Sequence, residues 1–204
     1  MNAKLITRSS IVLLTIGCIQ VACVCGGPGE PDYKIISYKL NAIRGSIYPG
    51  DSRLYFYDRP DAQLSSGDSI AFDSLGFSFQ PEVMHLSMLS GSMMSSAYAC
   101  EPAPGMPTQS IHRIRISSDQ QFITEEGTYE PGTILNEHFD VNNGEFESIQ
   151  SMLSNRNLAY RGGFILTLSS GVSTTQRHTF SFQVILSDSS KFEMESLPVI
   201  IRPE

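Results

Sequence analysis

From Tyr33 onward, apolar and polar residues alternate with a period of two in one run after another. Ile36, Tyr38, Leu40 and Ala42 alternate with Ser37, Lys39 and Asn41. His112, Ile114 and Ile116 alternate with Arg113 and Arg115, and Phe164, Leu166 and Leu168 with Ile165 and Thr167. Phe180, Phe182, Val184 and Leu186 alternate with Thr179, Ser181 and Gln183, and Phe192 and Met194 with Glu193 and Glu195. One apolar and one wet face is the pattern of antiparallel strands packed on a core. Ser187-Asp188-Ser189-Ser190 separates the last two runs and predicts a C-terminal hairpin. Weaker strand signals lie at Leu54–Tyr57, Ile70–Asp73 and Leu75–Phe79. Only Glu145–Leu153 has helical spacing, through Phe146, Ile149, Met152 and Leu153, with a further short helical turn around Leu135–Phe139. The expected fold is all-β and mainly antiparallel, an immunoglobulin-like β-sandwich with one short helix. A single domain over 33–204 is expected to hold it. The nearly uncharged stretch from Gln80 to Pro107 reads as a loop with a strand in its first half.

The N-terminus has a different grammar. Lys4 and Arg8 precede the apolar run Ile11-Val12-Leu13-Leu14-Thr15-Ile16, which ends in Gly17-Cys18 and Ala22-Cys23. That run is far shorter than the ~20 residues a spanning helix needs, so residues 1–22 read as a signal peptide. A small residue directly before a cysteine resembles the lipobox of bacterial lipoproteins, in which the cysteine thiol is acylated and becomes the new N-terminus. Cys23, preceded by Gln20-Val21-Ala22, is the candidate, with Cys18, preceded by Thr15-Ile16-Gly17, as the alternative. An ordinary cleaved signal with incidental cysteines is the competing reading. Residues 23–32, with Gly26-Gly27-Pro28-Gly29-Glu30-Pro31-Asp32, form a tether that neither helix nor ladder can use. Cysteine parity follows from the choice. If Cys23 carries lipid, Cys25 and Cys100 are the two remaining thiols and are expected to pair in an oxidising compartment.

Charge narrows the partners. The 204 residues carry 14 Lys+Arg against 21 Asp+Glu, a net charge of −7. Loss of residues 1–22 leaves 12 basic and 21 acidic groups, a net charge of −9. Such a chain is ill suited to nucleic acid, where affinity comes from neutralising phosphates. With 41% hydrophobic and 17% charged residues, it is not a disordered tail either.

Chemistry is sparse. The histidines His85, His112, His138 and His178 show no i, i+4 pairing and no HExxH. His112 and His178 each fall on the apolar face of an expected strand, where a hydrogen-bonded rim histidine is the ordinary outcome. Met84-His85, Met88, Met93-Met94 and Met106 carry soft ligands of the kind copper(I) takes, yet their irregular spacing favours methionines filling gaps under a loop. Asp140-Val141-Asn142-Asn143-Gly144-Glu145 fails as an EF-hand, since its glycine is fifth and its twelfth residue is Ser151. There is no GxSxG, no phosphate-cradling glycine loop and no SxxK. No catalytic residue, cofactor or metal is therefore assigned. Glu125-Glu126 reads as a solvated turn. Tyr55-Phe56-Tyr57, followed by Asp58-Arg59-Pro60, has the makings of an aromatic platform for a glycan, with alternating burial hiding one of its two faces.

Several short motifs resemble those of a family of uncharacterised lipoproteins of Bacteroides-type bacteria. They are the cysteine-rich end of the signal, Ala97-Tyr98-Ala99-Cys100 before prolines, Ile114-x-Ile116-Ser117-Ser118-Asp119-x-x-Phe122, and Pro131-Gly132-x-x-Leu135-Asn136-x-x-Phe139. The resemblance implies a bacterial envelope protein, lipid-anchored to the outer membrane, and supplies no catalytic residues. The expected function is a non-catalytic binding or assembly module with an envelope protein or glycan as partner. The alternative is an envelope glycan hydrolase whose carboxylates are dispersed through loops.

Overall fold

The computed structural model describes residues 32–47, 54–86, 107–142, 146–154 and 163–203. Nearly all of these belong to one compact unit, Tyr33–Met84 with Pro107–Glu204. Cys18, Cys23, Cys25 and Cys100 lie outside the described residues, as do Met88, Met93, Met94, Met106 and the turn Asn143-Gly144-Glu145.

The unit is an all-β sandwich. Its larger sheet has five strands in the order β1, β5, β11, β9, β10, formed by Tyr33–Arg44, Leu75–His85, Phe164–Leu168, Phe139–Asn142 and Phe146–Ser148. A second sheet has the order β14, β13, β6, formed by Lys191–Glu195, Phe180–Leu186 and Ile111–Ser118. A third joins β12 (Gln176–His178), β15 (Val199–Arg202) and β4 (Ser69–Ala71), with β15 and β4 parallel. Two short antiparallel ribbons complete the described strands: β2 (Ser46–Ile47) with β3 (Leu54–Tyr55), and β7 (Phe122–Ile123) with β8 (Thr128–Tyr129).

The first two sheets meet through phenylalanines, because alternate positions of each strand point inward. Phe77 of β5 sits 4.9 Å from Phe182 and 5.4 Å from Phe180 of β13, and Phe79 sits 5.2 Å from Phe182. Phe139 of β9 meets Phe180 at 5.6 Å, and Tyr38 of β1 meets Phe192 of β14 at 5.5 Å. All of these rings but that of Phe192 are buried. Mixed edge and tilted contacts of this kind add about 0.5–1.5 kcal/mol each beyond area burial.

The expected hairpin forms, pairing Ile185 with Lys191 through Ser181 with Glu195, and Ser189 at its turn takes φ 69°. Two expected faces are corrected. His112 was placed on the apolar face of β6, but it is exposed and Ile111 is buried instead. The register shifts between Ile185 and Leu186, so Ile185 opposes Arg113 while Leu186 opposes Ile111, and the extra residue turns His112 outward. Ile36 is 52% exposed and Ile35 buried, so the parity of β1 changes between Ile35 and Tyr38; at this end the Ile35 N–H donates to Gln109 Oε1 (2.7 Å). The helix is shorter than Glu145–Leu153. Phe146–Ser148 pairs with β9 as a strand, and α1 covers only Ile149–Ser154, burying Ile149 and Met152. The strand expected at Leu54–Tyr57 ends at Tyr55, and that at Ile70–Asp73 gives way to a 3-10 turn at Phe72–Ser74. The strand signal at Leu75 runs on to His85, into the first part of the Gln80–Pro107 stretch.

Candidate functional site

The sequence-derived candidates scatter rather than converge. Met84 is 49% exposed and His85 is exposed beside it. Glu125 and Glu126 are exposed in the β7–β8 turn, where the Thr124 N–H donates to the Gly127 carbonyl (2.8 Å). Among the described residues, no three His, Cys, Asp or Glu side chains are grouped to hold a metal ion, and no helix is long and apolar enough to cross a membrane.

Two histidines are instead built into the core against Phe122, at ring separations of 5.6 Å for His138 and 5.4 Å for His178. The Gln120 N–H donates to Ser118 Oγ (3.2 Å), which directs the Ser118 hydroxyl proton onto His178 Nδ1 (2.8 Å). His178 Nε2–H then donates to Gln176 Oε1 (3.0 Å), which also accepts the Ile123 N–H. Burial pushes the His178 pKa down to about 4, against the opposing pull of Asp119. This is a neutral structural imidazole. His138 Nδ1 meets Ser170 Oγ at 2.8 Å, while its Nε2 is buried without a hydrogen bond, 3.6 Å from Glu137 Oε1. Its pKa is lowered by burial, with Glu137 and Glu126 opposing. A hydroxyl beside an imidazole is the geometry of an activated nucleophile, but Ser118 is buried, and its oxygen already accepts the Gln120 N–H, although His178 also borders a surface groove of about 520 Å³ with Asp119 and Arg177.

Apart from the groove beside His178, surface chemistry among the described residues gathers in two further places. The first is a groove of about 650 Å³ on the outer face of the β14–β13–β6 sheet. The register lays its side chains in rows across the strands: Arg115, Gln183 and Glu193, then Ser117, Ser181 and Glu195. Gly132, at φ 81°, turns the chain so that Ile134, 54% exposed, rims the groove. Asn136 closes the free edge of β6 by imitating a strand, accepting from the Ile116 N–H (3.0 Å) and donating to the Ile114 carbonyl (2.8 Å). Glu193 is held below its ordinary range by Lys191 Nζ at 2.6 Å, and Gln183 Nε2 donates to the same carboxylate (3.1 Å). Glu193 and Glu195 lie two residues apart on one strand and share one face, so they do not oppose each other across the groove.

The second place is the segment Leu54–Arg59, which crosses the outer face of the larger sheet. Phe56 is buried there, its ring close against the backbone at Gly76 and Gly45. A Cβ on Gly76 would lie 2.7 Å from the Phe56 ring and 3.2 Å from Ile43, and one on Gly45 would lie 2.9 Å from that ring. Only glycine admits so close an approach. With Phe56 turned inward, Tyr55 and Tyr57 turn outward, their rings parallel within 6° and 6.2 Å apart, and the Arg59 guanidinium lies 4.9 Å over the Tyr57 ring. Asp58 is clasped by three amides. Asn41 Nδ2 (2.8 Å) and Gln80 Nε2 (2.9 Å) donate to its Oδ2, and Gln63 Nε2 (2.9 Å) to its Oδ1. Against the penalty of partial burial, the hydrogen bonds from Asn41, Gln63 and Ser78 and the charge of Lys39 hold this carboxyl low. Sequence reasoning found the aromatic triplet. The amides escaped it, because they come from β1, a loop and β5.

No protein-family model matches the chain, and neither does any curated protein. Among solved structures, it is similar to the C-terminal domain of the antigen I/II-family protein AspA of Streptococcus pyogenes (7% identity, 82% of this chain and 46% of that chain, TM-score 0.25). It is likewise similar to the C-terminal domain of the antigen I/II polypeptide BspA of Streptococcus agalactiae (6% identity, 84% of this chain and 50% of that chain, TM-score 0.23). The chain thus spans about half the length of these structures. At these TM-scores the likeness adds nothing to the sheet order given above.

Proposed function

We propose that the protein is a non-catalytic binding module of the bacterial cell envelope, held at the outer membrane by lipid on Cys23, or alternatively Cys18. The observation that carries the binding reading is the state of the carboxylates in the surface sites. Glycan hydrolysis needs a carboxylic acid kept protonated opposite a second, ionised carboxylate. Here Lys191 holds Glu193 ionised, its neighbour Glu195 lies on the same strand face, and Asp58 is held ionised by its amides. Asp140 is the described carboxyl that burial pushes up. It lies on β9, which pairs with β10 and β11 in the other sheet, so it is no partner for Glu193 or Glu195. These groups hold ligands by charge and hydrogen bonds.

The anchor rests on Lys4, Arg8, the short apolar run and a small residue before cysteine. More than one acyl chain is needed for stable retention, which triacylation supplies. In this scheme Cys25 and Cys100 form a disulfide. The test is affinity purification of the full-length protein from native membranes. Co-purification of an envelope protein or polysaccharide, recovered chemically unchanged, is expected. Time-dependent cleavage of the recovered polysaccharide would overturn the reading.

A further inference from the structure

We propose that Tyr55, Tyr57 and the amide clasp around Asp58 form a binding site for a neutral oligosaccharide. This rests on the binding-module reading and names its ligand class. Three features of the site lead there.

The first is rigidity. An aromatic pair on a loose loop would lose much of its binding energy to ordering. Here the segment is pinned at Phe56 between the backbones of Gly45 and Gly76 and again at Asp58 by three hydrogen bonds. Tyr57, the residue between the two pins, is 43% exposed.

The second is the chemistry that the clasp presents. Each amide nitrogen is committed to the carboxylate, so the carbonyl oxygens of Asn41, Gln63 and Gln80 are turned away from it. A side-chain amide so oriented offers a fixed acceptor and one remaining N–H. A sugar hydroxyl, donor and acceptor at once, matches both. A proline-rich peptide, the other common ligand of paired tyrosines, offers few donors to such an acceptor set.

The third is charge. Lys39 acts on Asp58 and Arg59 lies over Tyr57, so two cations accompany the one carboxylate locally, while the chain downstream of residue 22 carries −9. A polyanionic polysaccharide would meet the long-range repulsion of the whole chain, and a neutral one would not. The tyrosine ring surface that Arg59 leaves uncovered takes the C–H face of a pyranose, and the amides read its hydroxyls.

The chain has eight tyrosines and no tryptophan, so the part of the tyrosine emission change lost in a variant without Tyr55 and Tyr57 reports on this surface. The experiment titrates the full-length protein with neutral hexasaccharides of glucose, mannose, xylose and N-acetylglucosamine. It follows tyrosine emission and confirms affinity by calorimetry, for the wild type and for Tyr55→Ala/Tyr57→Ala. At least one saccharide is expected to bind, and the double variant, still folded by its cooperative melting transition, is expected to weaken it about tenfold or more. A second variant, Gln80→Leu, removes one acceptor without touching a ring and is expected to weaken binding about threefold or more. Equal binding by wild type and both variants would overturn the site while leaving the module reading in place. Absence of binding to all four saccharides up to about 10 mM, a Kd equivalent to only some 3 kcal/mol, would overturn the ligand class. Co-purification from membranes then judges the module reading separately.

Discussion

The buried His178 makes the fold acid-sensitive in a defined window. Its imidazole is neutral in the folded chain, with a pKa pushed down to about 4, against 6.5 for an exposed histidine. Between those values the unfolded chain binds more protons than the folded one, so stability is full above pH 6.5 and falls as pH drops toward 4. At pH 5 the ratio of the two proton-binding polynomials is about thirty, a loss of about 2 kcal/mol relative to pH 7.5, approaching about 3 kcal/mol below pH 4. Asp119 does not confuse the window. Its folded pKa is lowered, so its contribution is lost only as pH falls below 3.8. The perturbation is His178→Gln, whose amide can accept from Ser118 and donate to Gln176 while carrying no proton. Urea unfolding at pH 7.5, 6 and 5 is the assay. The wild type should lose about 2 kcal/mol more than the variant over that range, a difference of roughly 1 M in midpoint for a domain of this size. His138, lowered in the same direction, acts in both proteins and cancels. Parallel pH profiles, within about 0.5 kcal/mol of each other, would refute the assignment of a neutral buried imidazole.

Other expectations follow from the packing. Gly76→Ala would press a methyl into the Phe56 ring, costing about 1–3 kcal/mol by denaturant unfolding, whereas Gly127→Ala, with no atom near its Cβ, should be neutral. The Tyr38 hydroxyl is buried with no hydrogen-bond partner, so Tyr38→Phe should hold or raise the melting temperature, by up to about 1 kcal/mol of stability. A drop in melting temperature would show that the hydroxyl has a partner. Non-reducing peptide mapping should find the Cys25 and Cys100 peptides joined until reduction. The bond would contribute about 4 kcal/mol in the chain-entropy model, and alkylation of Cys100 without reductant would contradict it.

Much of the sandwich was legible because its central strands obey one parity. β13 alternates buried and half-buried residues without a fault, and its hairpin turn is spelled by Asp and Ser. Legibility failed where a residue answers to more than one neighbour. His112 was misplaced by a bulge, which local alternation cannot reveal. Ala42 and Ile43 are both buried, because the core lies under one and Phe56 over the other. Val199-Ile200-Ile201 is apolar throughout, so β15 has no alternation to read, and its parallel partner β4 is more than a hundred residues away. Phe139-Asp140-Val141-Asn142 does alternate, yet four residues are a weak signal, and Phe139 reads with a helical turn and Asp140 to Asn142 as part of a failed calcium loop. The candidate site divides in the same way. The tyrosines stand two positions apart in the chain, while Asn41, Gln63 and Gln80 meet at Asp58 only after folding.

The central claim is that the surface sites hold a ligand and do not transform it. The most direct measurement incubates the purified full-length protein with isolated envelope polysaccharide, then counts bound material and new reducing ends in the same sample. Saturable retention, with reducing ends no higher than in a protein-free control, is predicted. A steady rise in reducing ends with time and protein concentration would contradict the account.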